Sequence, residues 1–220
     1  MNIHEIFPNR FKEEIQSRVT KGITYLQSVT ENGIVSEFAL DYLKSSGACA
    51  SWTTALAGSA LAEFNAVPPA MITALIDLRD REGGWGWNKN YPSDADSTLR
   101  AMQFLRKVGI NDSQLFDKGE RFVLAHQQSD GGIATFLPEK LQPLNKHTGG
   151  WVESHPCVSA VALKQISSPV AVDRIDAYMK RHIENFGYAS YWWSTPQYIA
   201  HELGISGEVP VDASDALDLS

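Results

Sequence analysis

Apolar residues recur along this chain at the spacing of a helix face. In FKEEIQSRVTKGITYLQSV the residues Phe11, Ile15, Val19, Ile23, Tyr25 and Leu26 form one stripe with charges opposite, which predicts a half-exposed outer helix. The same pattern predicts outer helices over 68–80, 112–128 and 169–184, and prolines at the starts of two of them suit a first helical turn. By contrast WTTALAGSALAEF, 52–64, has almost no charge and many small residues, as expected of an inner helix packed on several sides. Segments 96–108, 156–166 and 196–203 take the same place later in the chain. Outer and inner segments alternate, so the pattern predicts four helical hairpins in an all-α domain with no sheet.

Between each outer and inner helix lies a related turn. QSVTENGIVSEF around Gly33, LRDREGGWGW around Gly84, HQQSDGGIATF around Gly132 and HIENFGYASYWW around Gly187 recur at spacings of about 50 residues. Each passes an acidic or amide residue and a glycine before reaching large hydrophobic residues. Glycine supplies the positive φ that ends a helix and reverses the chain, and the aromatic pins the loop back on the helix it left. Trp85 or Trp87 is expected in that fastening role.

Hairpins that each bury one face on the next stack into a solenoid or curl into a helical barrel. In a curled array the first turns of the inner helices meet at one mouth. Those turns carry Trp52, Asp94, Asp96, His155, Cys157 and Tyr198.

The chain has 220 residues, 43% of them hydrophobic, enough for one sizeable core, and residues 1–204 are expected to form one domain. Its net charge of -7 disfavours a nucleic-acid partner, whose phosphates demand a basic face. Much of that acidity lies after Arg181, where no Lys or Arg follows and Glu184, Glu202, Glu208, Asp212, Asp215 and Asp218 occur. Residues 205–220 read as an acidic tail. Two cysteines without CxxC spacing suggest neither a disulfide scaffold nor a thiolate zinc finger. With no run of about 18 apolar residues to span a membrane and no signal-like start, a cytoplasmic location is expected. No phosphate loop, dinucleotide fingerprint or nucleophile elbow is present.

Taken together, the glycine-aromatic turns, WTTALAGSALAEF and GGWGW followed by DADST resemble the superfamily of squalene-hopene cyclases, other class II terpene cyclases and protein prenyltransferases. The Q-x-x-D-G-G form from Gln127 is similar to the Gln-Trp repeat of triterpene cyclases. The likeness runs over about residues 13 to 204 in four repeats. It implies an α/α barrel and a cyclase of the class II type.

In those cyclases an Asp-x-Asp-Asp-Thr motif opens an inner helix, and its middle aspartate protonates an alkene or epoxide. Here the match is Asp94, Ala95, Asp96, Ser97 and Thr98, so the resemblance carries the acid over to Asp96. Ser97 departs from the pattern, a change that sterol-forming members tolerate and that goes with the easier protonation of an epoxide. Size departs as well: family barrels have about six hairpins and this chain offers four. The cavity is then open, completed by a second copy in a homo-oligomer, or built for a smaller substrate.

Protonating a carbon-carbon double bond needs a strong acid that holds its proton until substrate arrives. Desolvation keeps such a carboxyl protonated, and a neighbouring carboxylate, here Asp94 beside Asp96, raises its pKa further. The resulting cation is met best by aromatic faces, since a nucleophile would quench it. Trp52, Trp87, Phe136, Trp151, Tyr191, Trp192 and Tyr198 are the candidate substrate-binding rings for a small apolar, isoprenoid-like substrate. Plainer roles compete: Asp94 or Ser93 as a helix cap, and Asp96 as a first-turn charge favoured by the helix dipole. His155, at the opening of the third inner helix, either hydrogen-bonds across the mouth to Asp96 or joins Asp94 or Asp96 in a metal site.

The metal reading follows the zinc-binding His of the prenyltransferases, but Asp-x-Asp lacks their thiolate. The acid reaction needs no cofactor, whereas the rival, a metal-dependent prenyl or diphosphate-processing transferase, would use Mg²⁺ or Zn²⁺. A non-catalytic module binding an apolar ligand or a protein is the rival from another class. The long connection 137–150 is a candidate lid.

Overall fold

The computed structural model describes residues 9–36, 47–141 and 149–205. The acidic tail expected over 205–220 therefore lies, except for Ile205, outside the described residues, as does the middle of the candidate lid.

The elements follow the predicted alternation. Outer helices α1 (Asn9–Ser28), α3 (Pro69–Asp77), α5 (Ser113–Leu124) and α8 (Pro169–Phe186) alternate with inner helices α2 (Ser51–Ala62), α4 (Ala95–Lys107), α7 (Pro156–Gln165) and α9 (Gln197–Glu202). A short α6 (Pro138–Leu141) and a 3-10 turn at Gly149–Val152 occupy the described flanks of the long connection. The inner helices neighbour one another in the order α2, α4, α7, α9, and each of the first three also packs on the outer helix that follows it. This is a row of inner helices with a second layer of outer helices packed on it.

Two small antiparallel ladders were not expected. β1 (Thr30–Glu31) pairs with β2 (Ile34–Val35), and β3 (Trp85–Gly86) pairs with β4 (Ser93–Asp94). Each spans two residues per strand and belongs to a turn, because a chain reversing between helices brings its own backbone groups within reach and pairs them.

Sequence chemistry explains why the elements stop and pack where they do. The left-handed residues in the second and third turns are Gly83 (φ 101) and Gly131 (φ 96), the first glycine of each pair, where the sequence pattern had pointed to the second. A Cβ on Gly131 would collide with the Arg174 carbonyl oxygen in α8, and one on Gly83 would sit 2.7 Å from Lys118 Cβ in α5. The second glycines serve close packing instead: a Cβ on Gly84 would lie 2.7 Å from Phe122 Cζ. Each of these turns is thus docked on the next outer helix. The Gly33 turn is docked likewise on α3, whereas a Cβ on Gly187 would meet nothing described within 4 Å.

Small residues let the inner helices approach closely. Gly58 of α2 faces the ring of Phe104 in α4, and a Cβ there would come within 2.5 Å of it. Phe104, Leu61, Met71, Leu75, Met102 and Leu105 are wholly buried around that contact. Trp85 is wholly buried too, with its indole N–H donating 2.7 Å to the Leu75 carbonyl, so Trp85 is the ring that fastens the second turn to its outer helix. The α2 helix is not enclosed on all sides as its composition suggested: Leu56 is 42% exposed, and Phe64 just beyond the helix 51%. Among the described residues no helix is long and apolar enough to cross a membrane.

Candidate active site

The first turns of α2 and α4, with the second and third turns, the 3-10 turn at Gly149–Val152 and the approach to α9, surround a cavity of about 340 Å³. Seven rings line it: Trp52, Trp87, Tyr91, Phe136, Trp151, Trp192 and Trp193. Its polar wall consists of Asp94, Asp96, Ser97 and Thr135. The rings pack on each other, with Trp52 stacked on Trp193 at 5.5 Å, Phe136 on Trp151 at 5.6 Å, and Trp151 edge-on to Trp192 at 5.6 Å. Such mutual packing fixes ring faces that would otherwise rotate, giving a rigid π-lined surface. Leu141 of α6 joins the cluster of Tyr91, Phe136 and Trp151, so the described flank of the long connection packs on the cavity wall.

The DADST stretch is placed by the β3–β4 ladder, whose register sets Trp85 opposite Asp94. Asp94 is the N-cap of α4. Its Oδ1 accepts from the Ser97 backbone N–H at 2.7 Å, and its Oδ2 accepts from the Ser97 hydroxyl at 2.8 Å. Thr98 donates its hydroxyl to the Asp94 carbonyl at 2.6 Å and accepts from the Trp85 N–H at 2.9 Å. Cap, partner and tie are therefore all structural tasks within the motif. Ser97 in particular fits beside a buried cap carboxyl, where a second carboxylate would face Asp94 directly.

Asp96 performs none of these tasks. It lies in the first turn of α4, half-buried, with its Oδ1 wholly withdrawn from solvent and without a hydrogen-bond partner, against the cavity. Desolvation raises its pKa from 3.8 to about 6, against the lowering effect of the Arg100 guanidinium and the Trp52 indole, while Glu202 raises it. Asp94 is raised further, to about 8, first by burial and also by the charge of Asp96, against the Ser97 N–H that lowers it. The mutual repulsion expected of the pair thus lifts the cap, and Asp96 remains the more acidic carboxyl, aimed at the hollow.

Behind Asp96 stands a buried charge network. One turn along α4, Arg100 Nη2 lies 2.9 Å from Glu202 Oε1 of α9, with both side chains 5% exposed or less. Arg100 also donates to the Tyr198 hydroxyl and, at 2.6 Å, to Gln103 Oε1. Tyr198 is accordingly not a cavity ring. Its hydroxyl is held by Arg100 and its face stacks on Trp193 at 4.4 Å, so it backs Trp193.

His155 does not hydrogen-bond to Asp96 as the sequence suggested. Its Nε2 faces the Gly150 carbonyl at 2.8 Å, and its Nδ1 faces the Thr135 hydroxyl at 2.6 Å and the Trp192 indole N–H at 3.1 Å. Burial lowers its pKa to about 4. Tyr191 lies outside the cavity as well, stacked on the His155 ring at 4.4 Å. Neighbouring Cys157 is buried, and desolvation pushes its thiol up to about 11. Among the described residues no group of three His, Cys, Asp or Glu side chains is arranged to hold a metal ion.

Of the substrate-binding rings expected, Trp52, Trp87, Phe136, Trp151 and Trp192 line the cavity, and Tyr191 and Tyr198 form its second layer. Trp193, the last ring of YASYWW, lines it as the aromatic stock of that stretch suggested, while Tyr91 and Thr135 line it without having been singled out. Tyr91 carried a usable signal, since it lies just past GGWGW; Thr135 carried none. A separate surface hollow of about 330 Å³, bordered by Asp80, Arg81, Glu82 and Lys140, has a charged rim and lies apart from the acid.

An α/α array whose inner-helix starts enclose a ring-lined hollow, with a carboxyl oxygen against it that no hydrogen bond occupies, defines a class: the class II terpene cyclase fold. No family model and no curated protein sequence matches the chain. Solved structures do. The type II terpene cyclase MstE from Scytonema is 25% identical with a TM-score of 0.74, over 87% of this chain and 58% of MstE. An aspartate-to-asparagine variant of MstE holding geranylgeranyl dihydroxybenzoate, its substrate, matches at 25% identity and a TM-score of 0.75, over 87% and 57%. A protein from Actinoplanes matches at 23% identity and a TM-score of 0.73, over 86% and 59%. In fold the chain is similar to the class II terpene cyclases. It spans less than two thirds of the length of each of these chains.

Proposed function

We propose that this chain is a class II terpene cyclase in which Asp96 protonates the terminal alkene or epoxide of a linear isoprenoid or related polyene and so starts its cyclisation. The observation that supports this most directly is the division of labour in DADST: Asp94, Ser97 and Thr98 are engaged with one another and with the turn, while the Asp96 carboxyl is left to the hollow. A carboxyl with a pKa of about 6 is partly protonated near neutral pH and still acidic, the compromise a general acid needs. The bond from proton to substrate carbon forms as the Asp96 O–H bond breaks, and the cation left behind travels over the faces of Trp52, Trp87, Phe136, Trp151 and Trp192. These rings stabilise positive charge without attacking it, and they keep water from the intermediate. Arg100 then stabilises the Asp96 carboxylate that remains.

The substrate class follows from the lining, which is apolar apart from the acid's own neighbourhood. A prenyl chain on an aromatic headgroup, as MstE binds, is one candidate form. The hollow of about 340 Å³ is at the small end of ligand sites, and favours a short prenyl chain.

The test is incubation with geraniol, farnesol, geranylgeraniol, their diphosphates and epoxides, and geranylgeranyl dihydroxybenzoate, followed by product analysis. Wild type is expected to give cyclic isomers with a chelator present, at a rate that declines as pH rises through about 6. Asp96→Asn, which keeps the shape and loses the proton, is expected to lower that rate by on the order of 10³ or more. Equal turnover by Asp96→Asn overturns the assignment of the acid, and turnover abolished by the chelator transfers the case to a metal-dependent transferase.

A further inference from the structure

A cyclisation begun by a proton also has to end. The final cation loses a proton from a carbon next to the charged one, or captures water, and the group that takes the proton decides which alkene is released. That group must touch the cavity, offer a lone pair, and pass its own proton onward, because a hydroxyl with no outlet becomes an oxonium. Acceptors on the wall are few. Both Asp94 oxygens accept from Ser97, and the Ser97 hydroxyl is turned to Asp94. Thr135 differs, since its hydroxyl sits 2.6 Å from a ring nitrogen that leads away from the cavity.

The tautomer of that ring is fixed by its partners. The Gly150 carbonyl can only accept, so Nε2 carries the hydrogen; the Trp192 indole N–H can only donate, so Nδ1 presents a lone pair. The Thr135 hydroxyl therefore donates to Nδ1 and turns its oxygen lone pairs elsewhere, one of them accepting from Trp192 Nε1 at 2.9 Å. The surroundings of the ring suit a transient imidazolium. Nε2 already donates to a carbonyl, and the ring lies flat against Tyr191 at 4.4 Å with an interplanar angle of 12°. Within the same shell Thr135 is tied to the acid's own helix, its carbonyl accepting from the Ala95 N–H at 2.9 Å.

We infer that Thr135 and His155 form the proton exit of the reaction, with Thr135 as the catalytic residue that takes the proton ending cyclisation and His155 as the acceptor behind it. This rests on the cyclase reading above. The C–H bond adjacent to the cationic carbon breaks and its electron pair becomes the new double bond. The released proton bonds to Thr135 Oγ1 as the original hydroxyl proton moves to His155 Nδ1. When product leaves, the imidazolium returns a proton to water and Asp96 recovers one from it, so the net change is isomerisation. Burial keeps His155 neutral beforehand, which leaves its lone pair ready, and the extreme acidity of a carbocation lets a weak base suffice.

The experiment compares wild type, Thr135→Val, Thr135→Ser and Tyr91→Phe on whichever member of the substrate panel wild type cyclises. Thr135→Val keeps the shape and deletes the relay; the expected outcome, read on the products formed, is that the wild-type alkene falls by roughly 10-fold or more as a share of them, with regioisomeric alkenes or alcohols replacing it. Thr135→Ser restores the hydroxyl and is expected to restore the wild-type product, a rescue that a merely structural role for the methyl group would not give. An unchanged product spectrum in Thr135→Val overturns the relay while leaving Asp96 as acid, as does a product shift confined to Tyr91→Phe. Absence of any cyclic product from wild type overturns the cyclase reading itself.

Discussion

Exchanging Arg100 for methionine tests how the buried charges behind the acid work. Arg100 and Glu202 meet at 2.9 Å with side chains only 5% and 4% exposed, so removing one leaves the other's charge in a site that water does not reach. Stranding a buried charge costs about 3–5 kcal/mol, whereas replacing both partners by apolar side chains of similar size is often neutral. Glu202 has a weaker substitute in Lys164, 4.0 Å from its second oxygen and 44% exposed, so Arg100→Met is expected near the lower end of that range. Arg100 keeps Tyr198, Gln103 and the nearby Asp96 carboxylate in reserve, so Glu202→Leu is expected near the lower end as well. The double variant is expected within about 2 kcal/mol of wild type, which makes the two losses strongly non-additive. Urea unfolding of the four proteins at one pH reads this directly.

The same variants carry a kinetic sign. Arg100 lowers the pKa of Asp96 and Glu202 raises it, so the limb on which activity declines with pH moves up in Arg100→Met and down in Glu202→Leu. Single variants each within about 1 kcal/mol of wild type, or a limb that does not move, would refute the coupling between α9 and the acid.

Asp94 offers a test by pH alone. Its carboxyl titrates near 8 in the folded chain and near 3.8 when unfolded, so between those values the folded state holds a proton that the unfolded state releases. This contribution to stability is present at low pH and is lost as pH rises through about 8, so Asp94→Asn is expected to unfold with a midpoint that changes less between pH 5 and pH 9 than wild type. Gly131→Ala places a side chain at φ 96 and against the Arg174 carbonyl, and is expected to cost about 2 kcal/mol or more in denaturant unfolding. A loss below about 0.5 kcal/mol would mean that the third turn is not clamped on α8.

Much of the wall around the cavity was legible in advance because it depends on neighbours along the chain. The amphipathic stripe through Ile15 and Ile23, the small residues of 52–64 and the Gly-Gly turns each act over a few residues, and the helices fall within a few positions of where those signals put them. The second aspartate of DADST was legible as well, since a residue two places inside a capped helix start has its side chain on the mouth of the array. Which glycine takes positive φ was not legible, because Gly83 and Gly84 are equally permissive alone and Lys118 and Phe122 of the next outer helix decide between them.

The sequence by itself determined the order of outer and inner helices, the turns that join them, and the opening of α4 at Asp94, since capping, periodicity and glycine sterics operate within one or two helical turns. Tertiary structure alone decided which rings face the hollow and what each polar group does. Tyr198 is drawn from the wall by Arg100, 98 positions earlier, and His155 is turned from Asp96 by Thr135, 20 positions before it, and by Trp192, 37 after it. A buried donor or acceptor takes whatever partner packing brings within about 3 Å, and no local pattern records which one that will be.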